Sequence, residues 1–175
     1  MNKADLAQAI YETSHITGEF RLRSGQMSHE YFDKYLFEAD PVLLNAITEH
    51  LVAMIPQPVD ALAGLEMGGI PIVAMLSQLS HIPSLFVRKQ AKPYGTCKLA
   101  EGGEIAGKRL VIIEDVVTSG GQIKLSAQDL RALGATVTDV MCVIDREAGG
   151  RASLEADGLQ LHPLFTMSEL KQSVG

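Results

Sequence analysis

A chain of 175 residues with 46% hydrophobic and 21% charged residues has the size and balance of one globular domain with its own core, so residues 1–175 are expected to form a single domain. The net charge of −6 argues against broad, sequence-independent nucleic-acid binding, which rests on basic surface. No apolar run is long enough to span a membrane, and MNKADLAQAIYE carries Asp5 and Glu12 where a signal peptide would be apolar, which points to the cytoplasm.

Leu6, Ile10 and Thr13 fall at helical spacing and predict a first amphipathic helix over 3–14. TGEFRLRSGQMSHEYFDKY alternates loosely around Ser24-Gly25 and reads as short strands about a turn. Asp40-Pro41 is a helix start, with an acid able to cap free amides and a proline suited to the first turn. Leu43, Ile47, Leu51 and Met54 continue that helix on one face until Pro56 and Pro58. Short apolar strands and helices then alternate. VDALAG (59–64) predicts a strand, GGIPIVAMLSQLS (68–80) a largely buried helix and PSLFVRK (83–89) a strand. RLVIIEDVV (109–117) predicts a strand, Ile123, Ala127, Leu130 and Leu133 a helix closed by Gly134, and TVTDVMCVIDR (136–146) another strand. The remainder reads as mixed short elements. This alternation predicts an open, mostly parallel sheet covered by helices on both faces. Residues 92–108, KPYGTCKLAEGGEIAGK, show no periodicity; so long a connection is expected to be a functional loop.

The two cysteines read as reduced thiols, Cys142 within apolar VMCVI and Cys97 in the polar loop. The five histidines are scattered without ligand spacing, so no structural metal site is expected. GGEIAGK (102–108) has the GxxxxGK spacing of a nucleotide-binding loop, but Arg109 replaces the Ser or Thr and the segment precedes a strand instead of following one.

The chemically informative stretch is LVIIEDVVTSGGQ (110–122). Ligands of open parallel sheets sit beyond the carboxyl ends of the strands, where Glu114 and Asp115 are expected to leave the core and face a crevice. Thr118, Ser119, Gly120 and Gly121 then turn the chain into a helix whose first amides, helped by the hydroxyls, suit an anion. Carboxylates repel phosphate, yet they adjoin a phosphate nest. A phosphorylated sugar reconciles the two, with its vicinal hydroxyls on the acids and its phosphate in the turn.

VIIEDVVTSGGQ resembles the signature of the type I phosphoribosyltransferases, which bind 5-phosphoribosyl 1-diphosphate (PRPP). The resemblance implies that fold, with a small hood from the N- and C-terminal segments (about 1–40 and 150–175). It places the ribose hydroxyls on Glu114 and Asp115 and the 5-phosphate in a cradle of Thr118, Ser119, Gly120, Gly121 and Gln122, with Val116 and Val117 also among the PRPP-binding residues. FVRKQAKPYGTCKLAEGG (86–103) resembles the catalytic loop of the orotate phosphoribosyltransferase family, which implies a flexible loop over about 90–108. Arg88, Lys89 and Lys92 would then be PRPP-binding cations, and Lys92 and Asp115 catalytic. FRLRSGQMSHEYFDKYLFE (20–38) resembles the family's base-enclosing segment, and IDREAGG (144–150) the strand end whose Arg146 meets the orotate carboxylate. Thr118 is implied in orotate contact as well. Of Tyr31 and Phe32, at most one can touch the base if both lie in a strand; Arg23 sits at the family's position for a basic residue near the phosphates.

GLEMGGIP (64–71) resembles the loop that receives pyrophosphate, where a cis peptide is implied near Glu66-Met67. Two departures stand out: Gly68 occupies a position that is lysine in some members, and Tyr94 one that is histidine in many. The resemblance further implies Mg2+ carried by PRPP with no direct protein ligand, a homodimer with the catalytic loop shared between subunits, and a place in UMP synthesis. The competing readings are a phosphoribosyltransferase for another base and a PRPP-sensing regulator that binds nucleic acid. Without the resemblance, RKQAK is an ordinary solvated basic patch.

Overall fold

The computed structural model describes residues 1–21, 25–92, 94–95 and 98–175. Arg23 and Cys97 lie outside the described residues, as do positions 93 and 96 of the expected loop.

Helix α1 (Lys3–Ser14) begins where the Asn2 side chain accepts from the Asp5 N–H, and it buries Leu6, Ala7 and Ile10. Strands β1 (His15–Arg21) and β2 (Met27–Phe32) form a separate antiparallel hairpin. A short helix α2 (Lys34–Ala39) follows, capped by Asp33. Asp40 then caps α3 (Pro41–Val52) by accepting from the Val42 and Leu43 N–H groups, with Pro41 in the first turn as expected.

Among the described residues the main sheet has six strands: β3 (Ala61–Leu65), β4 (Ser84–Val87), β5 (Ala100–Glu101), β6 (Arg109–Val117), β7 (Thr136–Asp145) and β8 (Gln160–Thr166). Their order is β5-β4-β3-β6-β7-β8, parallel throughout except for β5, which pairs antiparallel with β4. Helices α4 (Gly69–Ser80), α5 (Gly121–Ala132), α6 (Gly150–Glu155) and α7 (Met167–Gln172) complete the chain.

Strand alternation divides the core between the two faces. Leu62, Val111, Ile113, Met141 and Val143 pack with α1, α3 and α4 on one side. Ala61, Ala63, Leu110, Ile112, Val140 and Cys142 pack with α5 on the other. Burial on both faces explains why these strands read as continuous apolar runs with no polar alternation. Each fully buried Leu or Ile contributes about 1.5–3 kcal/mol of hydrophobic stabilisation.

The doubly covered sheet matches the expected fold class. Several short elements differ from the sequence reading. Residues 98–108 are not all loop: β5 pairs with β4, and Leu99, Ala100 and Ile105 are buried. The C-terminal segment is not wholly peripheral either, because β8 is an edge strand of the main sheet. Pro163 inside β8 weakens its strand signal, and an edge is where a strand tolerates proline.

The topology fixes where a ligand can sit. From β3 the chain passes outward to β4, then returns to place β6 on the opposite side of β3. This reversal opens a crevice beyond the carboxyl ends of β3 and β6.

Candidate active site

A cavity of about 510 Å3 occupies that crevice, lined by Glu114 through Ile123 together with Glu66, Met67, Lys89, Lys34 and Tyr35. One wall is the turn from β6 into α5. Gly120 adopts φ 74°, a left-handed conformation that L side chains rarely take, and no side chain caps the helix after it. The first amides of α5 therefore face the cavity without a side-chain acceptor, and the helix dipole adds positive potential there. Thr118 and Ser119 are exposed beside them. Gln122 also lines the cavity, and its Nε2 donates to Ser126 Oγ at 3.4 Å.

The acids differ from expectation in depth. Glu114 and Asp115 lie inside β6, which continues to Val117, and Asp115 is completely buried. One Asp115 oxygen accepts from the Val116 N–H, and the other is paired with the Lys34 ammonium. Glu114 accepts from the Asp115 N–H at 2.9 Å. Burial, together with the neighbouring Asp115 charge, holds the Glu114 carboxyl well above the usual carboxylate range.

A third acid, not singled out in the sequence, joins this pair. Glu38 of α2 is buried with its Oε1 unpartnered, and burial followed by the Asp115 charge and hydrogen bond pushes its carboxyl from 4.5 up to about 8. Between about pH 4.5 and 8 the folded chain thus holds a proton on Glu38 that the unfolded chain has released. That linkage contributes stability that is lost as pH rises through the folded value. Glu38→Gln, which mimics the protonated form, is expected to flatten this dependence. The wild-type thermal midpoint should fall more between pH 5.5 and 8.5 than the variant's, by several degrees for each ~1–2 kcal/mol of linkage. Parallel melting curves of the two proteins check this; equal slopes would exclude it.

The opposite wall is the turn after β3. The Glu66–Met67 peptide is cis, at the position where the resemblance implies one. The Glu66 carboxylate accepts from the Lys89 N–H at 2.6 Å, tying this turn to the end of β4. A Cβ at residue 68 would lie 1.5 Å from Asp115 Oδ2, so only glycine admits the carboxylate here.

The expected site residues divide into three groups. Glu114, Asp115, Val116, Val117, Thr118, Ser119, Gly120, Gly121, Gln122 and Lys89 all line the one cavity. Arg146 lies next door. Its N–H donates to the Val117 carbonyl at 2.9 Å, and it lines a second cavity of about 200 Å3 with Tyr11, His15, Tyr31, Phe32 and Lys171. The Arg146 side chain is exposed and has no ionic partner among the described residues. Arg88 and Lys92 stand outside both cavities. Lys92 is ion-paired with Glu101, and Arg88 Nε lies 3.8 Å from the same carboxylate. Tyr94 is exposed.

Sequence reading missed Lys34, Tyr35 and Glu38 at the site. The available signal was the FDKYLFE run: an acidic cap followed by a lysine and a glutamate four residues apart, hence on one helix face.

Comparison with known proteins decides the family. Residues 43–158 match the phosphoribosyl transferase domain. The chain belongs to the phosphoribosyl transferase family. An orotate phosphoribosyltransferase from Nocardioides sp. is 51% identical over 167 residues, covering 95% of this chain and 93% of that protein. One from Methanocella arvoryzae is 41% identical, covering 95% of each chain. Among solved structures, orotate phosphoribosyltransferase from Aeropyrum pernix superposes with a TM-score of 0.84 at 29% identity, covering 97% of this chain and 98% of that one. The expected phosphoribosyltransferase fold is thereby borne out. Among the described residues no helix is long and apolar enough to cross a membrane.

Proposed function

We propose that this phosphoribosyl transferase acts on orotate: orotate and PRPP give orotidine 5′-monophosphate and pyrophosphate, a step of UMP synthesis. The observation that carries the reading is the juxtaposition at one sheet end. Buried acids and an uncapped helix N-terminus share a cavity, and an unpaired arginine lies one backbone hydrogen bond away in an aromatic-lined cavity.

The residues supply a mechanism. Glu114 and Asp115 fix the ribose hydroxyls, and the Thr118–Gly121 turn with the α5 amides holds the 5-phosphate, so C1 is presented to the base in a set orientation. Arg146 clamps the orotate carboxylate, with Thr118 reaching the base from the first cavity and one ring of the Tyr31-Phe32 pair against it from the second. Departure of pyrophosphate leaves positive charge on the ribose ring and gathers negative charge on the leaving oxygens. Lys89 already faces that cavity, and closure brings Arg88 and Lys92 to those oxygens, stabilising the transition state more than the ground state.

No cluster of three or more His, Cys, Asp or Glu suited to a metal occurs among the described residues. Both Asp115 oxygens already have protein partners. This donor set fits Mg2+ carried by the oxygens of PRPP, with no cage made by the protein. Bound in that way, the ion would neutralise charge on the diphosphate.

We further read the chain as one domain with its hood over the site, acting in the cytoplasm as a homodimer. The pairing of Arg88 and Lys92 with Glu101, outside their own chain's cavity, supports a loop that serves the partner subunit. Pyrophosphate release from PRPP and Mg2+ with orotate, uracil, a purine base or no base tests the proposal. Release with orotate alone is expected. A response to a purine would assign another base, and nucleic-acid binding without any release would favour the regulator.

A further inference from the structure

Lys34 begins α2, far in sequence from the signature stretch, yet its ammonium lies on Asp115 Oδ2 within the PRPP cavity. Asp115 Oδ2 itself occupies the space that a side chain at residue 68 would fill. The ammonium therefore stands where the end of β6 meets the Glu66–Gly68 turn, on the pyrophosphate side of the cavity. That turn offers one acid, one methionine and one glycine, and no cation. Among the described residues lining the cavity, Glu66, Glu114 and Asp115 face two lysines, Lys34 and Lys89, while Arg88 and Lys92 are held on Glu101. With the Lys34 ammonium engaged by Asp115, a diphosphate entering this site meets one unengaged lysine, Lys89, beside the Glu66 carboxylate, and gains little attraction unless a nearby cation turns toward it.

Lys34 is suited to that turn. Its side chain is 33% exposed while Asp115's is 1% exposed, so the carboxylate is fixed and the ammonium is the accessible partner. An ammonium has three donors on a flexible stem, and Asp115 uses only part of that capacity. Ribose hydroxyls arriving at Asp115 compete for the oxygen that Lys34 holds, and they bring the diphosphate within reach of the same ammonium.

Resting on the orotate phosphoribosyltransferase reading, we propose that Lys34 is a substrate-contacting catalytic residue: its ammonium, parked on Asp115 in the free protein, passes to the diphosphate oxygens as the ribose diol takes its place. The exchange keeps Asp115 hydrogen-bonded throughout. It also gives α2 a reason to settle over an occupied site, since the same helix then holds the leaving group.

The test compares Lys34→Gln, Lys34→Ala and Lys34→Arg with the wild type, with thermal midpoints recorded for all four. Lys34→Gln is expected to raise KM for PRPP in the forward direction and for pyrophosphate in the reverse direction by a similar factor, roughly tenfold to a hundredfold. The orotate KM should stay within about twofold, and Lys34→Arg should recover most of the loss. Calorimetric titration should show pyrophosphate binding weakened in Lys34→Gln and ribose 5-phosphate binding preserved. An unchanged pyrophosphate KM in an active wild-type background would overturn the inference and leave the orotate reading intact. So would a uniform rise in every KM with a lowered midpoint that arginine does not rescue, since Lys34 would then only dock α2. A wild type that releases no pyrophosphate would refute the orotate reading itself, and the two titrations would still decide whether Lys34 holds the diphosphate.

Discussion

Lys92→Ala is expected to lower kcat by roughly 100- to 1,000-fold, the usual loss when one preorganised donor to a developing anion is removed. The PRPP KM should change little, because the ammonium sits on Glu101 in the free protein and reaches the diphosphate only on closure. The Lys92 ion pair, with Arg88 behind it, holds the Glu101 carboxyl below the usual carboxylate range, so the resting partner is a charged one. Steady-state kinetics of the pure variant read the effect directly; an unaltered kcat would remove Lys92 from the mechanism. Mixing Lys92→Ala chains with Asp115→Asn chains extends the test. Two inactive variants that partly restore activity together would place the lysine in the partner's site, since one active site of each mixed pair is then intact.

Arg146→Ala should act on the other substrate. Loss of a charged, bidentate clamp on a carboxylate costs about 2–3 kcal/mol, so the orotate KM is expected to rise roughly 30- to 150-fold while the PRPP KM moves by less than about twofold. Arg146 is exposed and unpaired, so its removal leaves no buried partner stranded and the folded chain should be little affected. Lysine at this position would return the charge without the planar fork, and should recover only part of the affinity. Equal shifts in both KM values would count against a carboxylate clamp.

The central elements were legible because their signals are local. Arg109–Val117 and Gly121–Ala132 carry an apolar run, a glycine turn and a helical stripe in an uninterrupted sequence, and the structure places both where that order predicts. Strands β5 and β8 were not legible. Two residues carry no period, and Pro163 removes a donor from a run that otherwise reads as strand. The phosphate side of the site was legible for the same reason as its flanking elements: one contiguous stretch supplies it. The cluster around Asp115 was not, because Lys34 and Glu38 reach it across some 80 positions, and only packing reveals that meeting. The depth of Asp115 was misjudged although the bounds of its strand were read correctly, because its cover comes from elsewhere in the chain: Lys34 of α2 and the close approach of the turn at Gly68.

The two margins of the main sheet also bear on how copies of this chain meet. One margin is β5, only two residues long, and the other is β8, interrupted by an imino acid that lacks a backbone donor. Neither presents the long, regular row of free peptide groups on which a foreign strand could add. Extension of the main sheet by a foreign strand is thereby disfavoured, and with it one route by which β-rich surfaces coalesce into fibres. Contacts between copies of this chain, where they form, would then fall to its helices, its loops and the separate β1–β2 hairpin.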